Sequence, residues 1–295
     1  MRKPLSTIIP NYNHAKYLPE CLESILSQSY KPDEILIIDD GSTDNSVQVI
    51  QEFQKRVPEI VLVRNEKNIG VHRTFNKALR LVKNTLIAPF AADDFIFPGF
   101  FEKAMALFVK NEDLAIVFAD NVNFYDKKPY QFITNKVHIC SEPKIFQPQE
   151  FINTLRKTNF YIASCACIYN KDIVLKYGGY NEQLLSLTDY YLNAQIAFRH
   201  PIGYIPEPMA AYRLVSNSYG ASIRFAWRKR LTLLDTIMTT LVKKEDRAFR
   251  ISFFRSGLLS FNGYFMLLYL FLHPKYWIHF PFIFYKVMKR KFAKY

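Results

Sequence analysis

The sequence predicts an α/β protein, with a mostly parallel sheet covered by helices on both faces and a basic helical region behind it. Three observations predict this. Over the first 120 residues, short β-branched runs alternate with apolar residues at helical spacing, in the order βαβαβαβ. Some 49% of the residues are hydrophobic and 22% charged, a globular balance. The charge is also divided along the chain. Residues 1–220 hold 24 Lys+Arg against 23 Asp+Glu, and residues 221–295 hold 15 against 3. The expected units are therefore a charge-balanced domain, 1–220, and a basic, aromatic-rich region, 221–295.

Leu5–Ile9 reads as the first strand. Leu18, Cys21, Leu22, Ile25 and Leu26 then fall on one helical face. Glu34–Ile38 is a buried-type strand. Gly41-Ser42-Thr43-Asp44 turns into a helix containing Val47, Ile50 and Phe53. Ile60–Val63 is a third strand, and Val71, Phe75, Ala78, Leu79 and Val82 mark a third helical face. Leu86–Phe90 and Leu114–Phe118 are the fourth and fifth strands. Beyond about residue 120 the pattern loosens. Four scattered cysteines, with only a C-x-C at Cys165 and Cys167, predict reduced thiols. The first residues, Met1 to Thr7, lack the apolar run of a signal peptide. None of the six histidines (His14, His72, His138, His200, His273, His279) has zinc-site spacing.

In open α/β sheets, ligands bind outside the carboxyl ends of the strands. The first strand ends in Pro10-Asn11-Tyr12-Asn13, the second in Asp39-Asp40-Gly41-Ser42, and the fourth leads to Asp93-Asp94. There is no G-x-G-x-x-G and no G-x-x-x-x-G-K-[ST], so the dehydrogenase and P-loop modes of phosphate binding are excluded. A diphosphate without a glycine cradle is held instead by a hard divalent ion, Mg²⁺ or Mn²⁺, on carboxylates such as Asp93-Asp94. The competing reading of that pair is a helix cap before Pro98. One of Asp39 and Asp40 suits the turn before Gly41, and the other suits the ring N–H of a base. Tyr12 either stacks on that base or packs in the fold.

The segments Thr7–Asn13, Leu22–Gln28, Ile37–Ser46, Asn65–Ala78 and Ala91–Pro98, in this order, resemble the family 2 glycosyltransferases, nucleotide-sugar transferases with the GT-A fold. The likeness extends to about residue 215. It implies that Pro10, Asn11, Tyr12 and Asp40 hold the base, most often uracil. It implies that Asp93 touches the ribose or the metal and that Asp94 is the principal metal ligand. Arg73 becomes a diphosphate or base contact, or else a solvent-facing arginine. Gly178-Gly179-Tyr180-Asn181-Glu182 is similar to the segment lining the donor-sugar side, which brings in Gly179, Tyr180 and Glu182. Asp189 takes the place of the catalytic base, with Thr188 where the family usually has Glu. Two more departures are Ala91, at the first position of D-x-D-D, and Tyr212-Arg213-Leu214-Val215, which lacks the histidine of Y-R-x-H. The implied reaction is inverting transfer from a nucleotide sugar, UDP-linked, to a saccharide acceptor. Without a Q-x-x-R-W (the nearest segment is Arg224–Arg228) the transfer is expected to be non-processive. The alternative is a degenerate scaffold that binds through its basic tail.

Ser256–Pro274 carries no charged residue over 19 positions, near the ~20 that span a bilayer. Gly257, Ser260, Asn262, Gly263 and His273 interrupt it. Basic clusters flank it at Arg228-Lys229-Arg230, Lys243-Lys244 and Lys289-Arg290-Lys291. Apolar segments beside cations suit helices lying on an anionic membrane surface. A true span is the second reading and a helical cap on the domain the third. Basic and aromatic residues also mark single-strand binders, but the long apolar runs argue against a solvated groove, so nucleic acid is not an expected partner. The resemblance and the tail together imply a lipid-linked saccharide acceptor, at the cytoplasmic face of a bacterial inner membrane, in O-antigen or capsule synthesis.

Overall fold

Apolar runs that are buried on both faces form the middle of the sheet. In β2 (Glu34–Asp39) every residue is buried. It lies between β1 (Leu5–Asn11) and β3 (Ile60–Arg64), and β4 (Leu86–Pro89) flanks β1 on the other side, all parallel. The computed structural model describes residues 2–134, 139–158, 160–215 and 227–292. Arg224–Ala226, His138 and the side chains of Trp227, Phe261, Asn262, Arg290 and Lys291 lie outside the described residues.

The remaining strands are β5 (Phe95–Ile96), β6 (Ile116–Tyr125), β7 (Phe132–Thr134), β8 (Lys144–Phe146), β9 (Cys167–Asn170) and β10 (Ile202–Leu214). The sheet order is β3-β2-β1-β4-β9-β6-β10-β5, with β7 on β6 and β8 on β10. The parallel ladders are the long ones, including β6 on β10. The antiparallel pairings involve two or three residues each. The expected fifth strand thus starts at Ile116 instead of Leu114, and the short β5 precedes it. In β10 the register shifts on either side of Pro208. Pro206 and Pro208 have no N–H to give the ladder, and the strand bulges there.

Successive side chains of a strand point to opposite faces. Leu5, Ile9, Ile35 and Ile37 join one apolar layer with α1 (Leu18–Leu26), α2 (Ser46–Gln54) and α4 (Phe100–Lys110). Ile8, Leu36, Ile38 and Ile87 join the other with α3 (Val71–Leu81), α5 (Pro148–Lys157) and α7 (Thr188–Ala197). Between the last two lies α6 (Lys171–Lys176). The four cysteines are free thiols.

The C-terminal helices are α8 (Trp227–Lys244), α9 (Arg247–Ser256), α10 (Tyr264–Leu272) and α11 (Phe280–Phe292). They extend the second apolar layer: Leu234, Met238, Phe253, Met266 and Ile283 share one buried cluster with Phe151, Tyr191 and Phe198. Glu245 is buried at this junction. It accepts from Tyr191 Oη at 2.6 Å, Gln195 Nε2 at 2.8 Å and Arg199 Nη2 at 2.5 Å. The reading of Ser256–Pro274 as a span is corrected. Gly257 and Gly263 take φ of +80° and +56° around a 3-10 turn, which leaves α10 only nine residues. No helix among the described residues is long and apolar enough to cross a membrane.

Lys286 on α11 is fully buried, and its Nζ donates to Leu155 O at 2.8 Å and Thr158 O at 2.6 Å. It closes the carbonyl end of α5, where helix carbonyls otherwise lack partners. Lys286→Met keeps the aliphatic stem and strands two buried acceptors, so a loss of about 2 kcal/mol is expected. Urea unfolding reads it. An unchanged midpoint would show that the lysine stabilises nothing there.

Candidate active site

β1 has β2 on one side and β4 on the other, so the chain reverses direction across the sheet at this point. The crevice beyond the strand ends is where such folds bind ligands. Its first wall is a laced pair of loops. Asn13 sits at φ +57°, a region asparagine tolerates. Its Oδ1 accepts from Thr43 N at 2.8 Å and Asp44 N at 3.3 Å. In return Ser42 Oγ accepts from Asn13 N and Asp44 Oδ2 from Ala15 N. Gly41, at φ +77°, lies against the next loop: a Cβ there would come within 2.8 Å of the Lys67 carbonyl carbon. Pro10 is half-buried and Tyr12 stands out from the wall, 42% exposed.

Asp39 and Asp40 are both buried and both bonded within the protein. Asp39 accepts from Asn11 Nδ2 at 2.9 Å and Ser42 N at 3.1 Å. Asp40 accepts from Asn65 Nδ2 at 2.7 Å, Ile69 N at 3.0 Å and Gly70 N at 2.9 Å, which orders the approach to α3. A carboxylate has about four acceptor positions, so Asp40 keeps one. Asn11 Oδ1 is buried with no hydrogen-bond partner, an open acceptor at the end of β1.

Asp93 and Asp94 follow β4. Asp94 is 3% exposed, and its Oδ1 accepts from Arg213 N at 2.8 Å. Its Oδ2 is buried and has no partner. Burial first, then the charge of Asp93, hold the Asp94 carboxyl well above the usual range, and Arg213 acts the other way. An orphaned carboxylate oxygen beside a second aspartate fits a hard divalent ion, which takes one or two carboxylates and completes its shell with water and phosphate oxygens. Among the described residues no group of three or more His, Cys, Asp or Glu is placed to hold an ion.

Arg213 was not foreseen as an organiser. Its side chain is 1% exposed at the end of β10. Nε donates to Asp93 O at 2.7 Å, Nη1 to Asp126 at 2.6 Å and Tyr130 at 3.2 Å, and Nη2 to Glu20. The guanidinium also lies 4.6 Å from the Tyr17 ring centroid and 4.5 Å from that of Phe124. One planar cation thus fixes the aspartate loop from its backbone side. Its sequence sign was the Y-R of Tyr212-Arg213-Leu214-Val215, which stood out only for the histidine it lacks.

Asp189 lies in the first turn of α7. Its Oδ1 accepts from Tyr190 N at 2.9 Å and its Oδ2 from Ser164 Oγ at 3.3 Å. Ser164 in turn accepts from Asn193 Nδ2 at 3.3 Å, and Asn193 Oδ1 accepts from Tyr169 Oη at 2.9 Å. Burial pushes the Asp189 carboxyl up to about 6, against the pull of Tyr190 N–H and the Ser164 hydroxyl. Burial holds the Cys165 thiol well above its usual range, and the charges of Asp94, Cys167 and Asp189 add to the effect.

Gly179 and Tyr180 are pinned to α3. Asn76 Oδ1 accepts from Tyr180 N and Nδ2 donates to Tyr180 O, each at 2.8 Å. At Gly179, with φ +67°, a Cβ would meet Asn76 Oδ1 at 2.4 Å, so only glycine fits. Tyr180 stacks on Phe75 with centroids 4.0 Å apart. Arg73 Nε donates to Glu182 Oε2 at 2.6 Å, and both are well exposed. The pair edges a cleft of about 330 Å³ that also includes Lys77 and Arg80.

The sequence model described as "Glycosyl transferase family 2" matches residues 6–178, more than half of the chain. The chain belongs to this family. It is a glycosyltransferase. Over 221 residues the transferase is 28% identical to an uncharacterized glycosyltransferase of Methanocaldococcus jannaschii, covering 72% of each chain. It is 37% identical over 123 residues to the chondroitin synthase of Escherichia coli, 41% of this chain but only 18% of that synthase. Two solved structures share its fold. One is S. aureus TarS 1–349 in complex with UDP-GlcNAc, with TM-score 0.63, 14% identity, and coverage of 94% of this chain and 89% of that one. The other is a mannosyltransferase of Pyrobaculum calidifontis in complex with GDP-Man and Mn²⁺, with TM-score 0.63, 16% identity, and coverage of 93% and 76%. The GT-A expectation therefore holds for the transferase, parallel sheet and C-terminal helices included.

Proposed function

We propose that the transferase moves a hexose or N-acetylhexosamine from a UDP-sugar to a lipid-linked saccharide, with inversion and one sugar at a time. The place is the cytoplasmic face of the membrane, and the product is a bacterial surface polysaccharide. What supports this reading is a buried Asp94 oxygen left without a partner, together with an Asp189 carboxyl that burial raises to about 6. One holds a cation and the other takes a proton. The polysaccharide synthase among the relatives supports the pathway, and TarS with UDP-GlcNAc supports the nucleotide.

Tyr12 offers its face to the base. Asn11 Oδ1 and the remaining acceptor position of Asp40 take base N–H groups. Asp93 and Asp94 would hold Mn²⁺ or Mg²⁺, which would supply Lewis-acid stabilisation to a leaving diphosphate. Gly179, Tyr180 and Glu182 border the donor sugar, and Arg73 lies on its phosphate side. Asp189 accepts the proton of the acceptor hydroxyl, which attacks the anomeric carbon opposite the diphosphate.

Release of nucleoside diphosphate from UDP-GlcNAc, UDP-Glc, UDP-Gal and GDP-Man, with Mn²⁺ present, tests the reading. UDP-sugar turnover is expected, strongest with lipid-linked saccharide added. Turnover of GDP-Man alone would overturn the nucleotide assignment. Neither turnover nor binding with any donor would favour the scaffold alternative.

A further inference from the structure

The second face of α10 has no cover among the described residues. Met266, Tyr269 and Leu270 are buried in the shared core. Leu268, Phe271 and Leu272 are 47%, 63% and 58% exposed, and the spacing i, i+3, i+4 puts them on one side of the helix. The patch continues into the 3-10 turn Pro274–His279. There Trp277 is 53% exposed, and its Nε1 donates to Phe271 O at 3.3 Å, which holds the indole against the end of α10. Ile278, 84% exposed, comes next, and Phe284 and Tyr285 on α11 are exposed as well. Such a cluster of large apolar side chains marks an interaction site.

Charge selects the occupant. From Arg247 to Tyr295 the sequence has nine Lys or Arg and no Asp or Glu. A second copy docked on this face would bring two cationic regions together, and like charges facing each other disfavour that. An anionic bilayer complements both features: apolar groups enter the acyl boundary and cations meet the headgroups. Tryptophan at the edge of such a face suits the interface. The buried side of α10 is committed to the core, so the helix lies along the surface.

We propose that Leu268, Phe271, Leu272, Trp277 and Ile278 form a bilayer-inserting face, with Lys275 at the headgroups. This rests on the membrane-facing reading above and names the surface that makes it. It also makes deletion of the tail a poor test, since Met266, Ile283 and Lys286 belong to the core. Exposed positions can be changed without opening it. The full chain is floated with vesicles of phosphatidylcholine, with and without phosphatidylglycerol. Binding to the anionic vesicles is expected, together with a blue shift of Trp277 emission in a Trp227→Phe background. Phe271→Ser with Ile278→Ser is expected to lower partitioning more than tenfold, with an unchanged thermal midpoint. The idea is overturned if wild-type protein ignores anionic vesicles, if the double variant binds equally well, or if wild-type protein is a dimer that the double variant dissolves. Hydrolysis of UDP-sugar is measured on the same samples. Failure of the transferase reading would abolish that signal and leave the vesicle result standing.

Discussion

Asp189→Asn is expected to lower sugar transfer by about 10²–10⁴-fold, the usual range for loss of a general base. UDP binding should stay within about twofold, because the hydrogen bonds of Asp189 go to Tyr190 N and Ser164 Oγ, and to neither the base wall nor the aspartate pair. The amide retains an oxygen to accept from Tyr190 N, and the Ser164 hydroxyl loses its acceptor along with the charge and the basicity. The environment explains why this aspartate suits the task. Burial raises its carboxyl to about 6, close enough to neutrality for efficient proton acceptance, while the Tyr190 and Ser164 donors keep it from rising further. The sign follows. Below about pH 6 the carboxyl holds its proton and cannot accept another, so kcat/KM should fall on the acid side with a midpoint near 6. Ser164→Ala removes a donor that stabilises the charged form, so that midpoint should move to higher pH. Near-normal turnover in Asp189→Asn would transfer the role to another carboxylate, with Glu182 the next candidate. That residue is exposed and already paired with Arg73, so it starts from a weaker position.

The parallel half of the fold was legible because its strands are buried on both faces, and Ile35–Ile38 can therefore be one unbroken apolar run. The loops after β1, β2 and β4 were legible through residue types that special backbone positions demand. Other features had no local sign. β5 is two residues long, and its place is set by Ala210 and Ala211 across the sheet. β10 holds two prolines, which ordinarily demote a strand, and survives through a bulge. The function of Arg213 depends on Glu20, Asp126 and Tyr130 meeting it from three distant segments. No spacing rule reaches across such separations. The uncharged tail showed the reverse error. Composition suggested nearly a full span, but Gly257 and Gly263 break the helix, and one face of what remains, Met266, Tyr269 and Leu270, is buried in protein.

Asp94→Asn is expected to abolish metal-dependent UDP binding, with a loss of at least about 10²-fold, or roughly 3 kcal/mol. The substitution is chosen because Asn keeps an oxygen for the Arg213 N–H and nearly the same volume. The loop should therefore keep its shape, and the loss reports charge alone. Without metal the effect on stability has the opposite sign. In the wild type the charge of half-buried Asp93 adds to the burial of Asp94, and one Asp94 oxygen has no donor. Burial of a charge without a partner is unfavourable. Removing that charge should leave the metal-free thermal midpoint unchanged or higher. A ligand that binds only the folded state raises stability by RT ln(1 + [L]/Kd). Mn²⁺ with UDP should therefore raise the wild-type midpoint, chelator should reverse the rise, and Asp94→Asn should show neither change. Retention of a metal-dependent shift in the variant would place the cation elsewhere. A fall in the metal-free midpoint would show that the Asp94 charge is already compensated, with Arg213 serving as its counter-ion instead of only holding the loop. The two measurements separate a site built to wait for a cation from a buried ion pair that needs none.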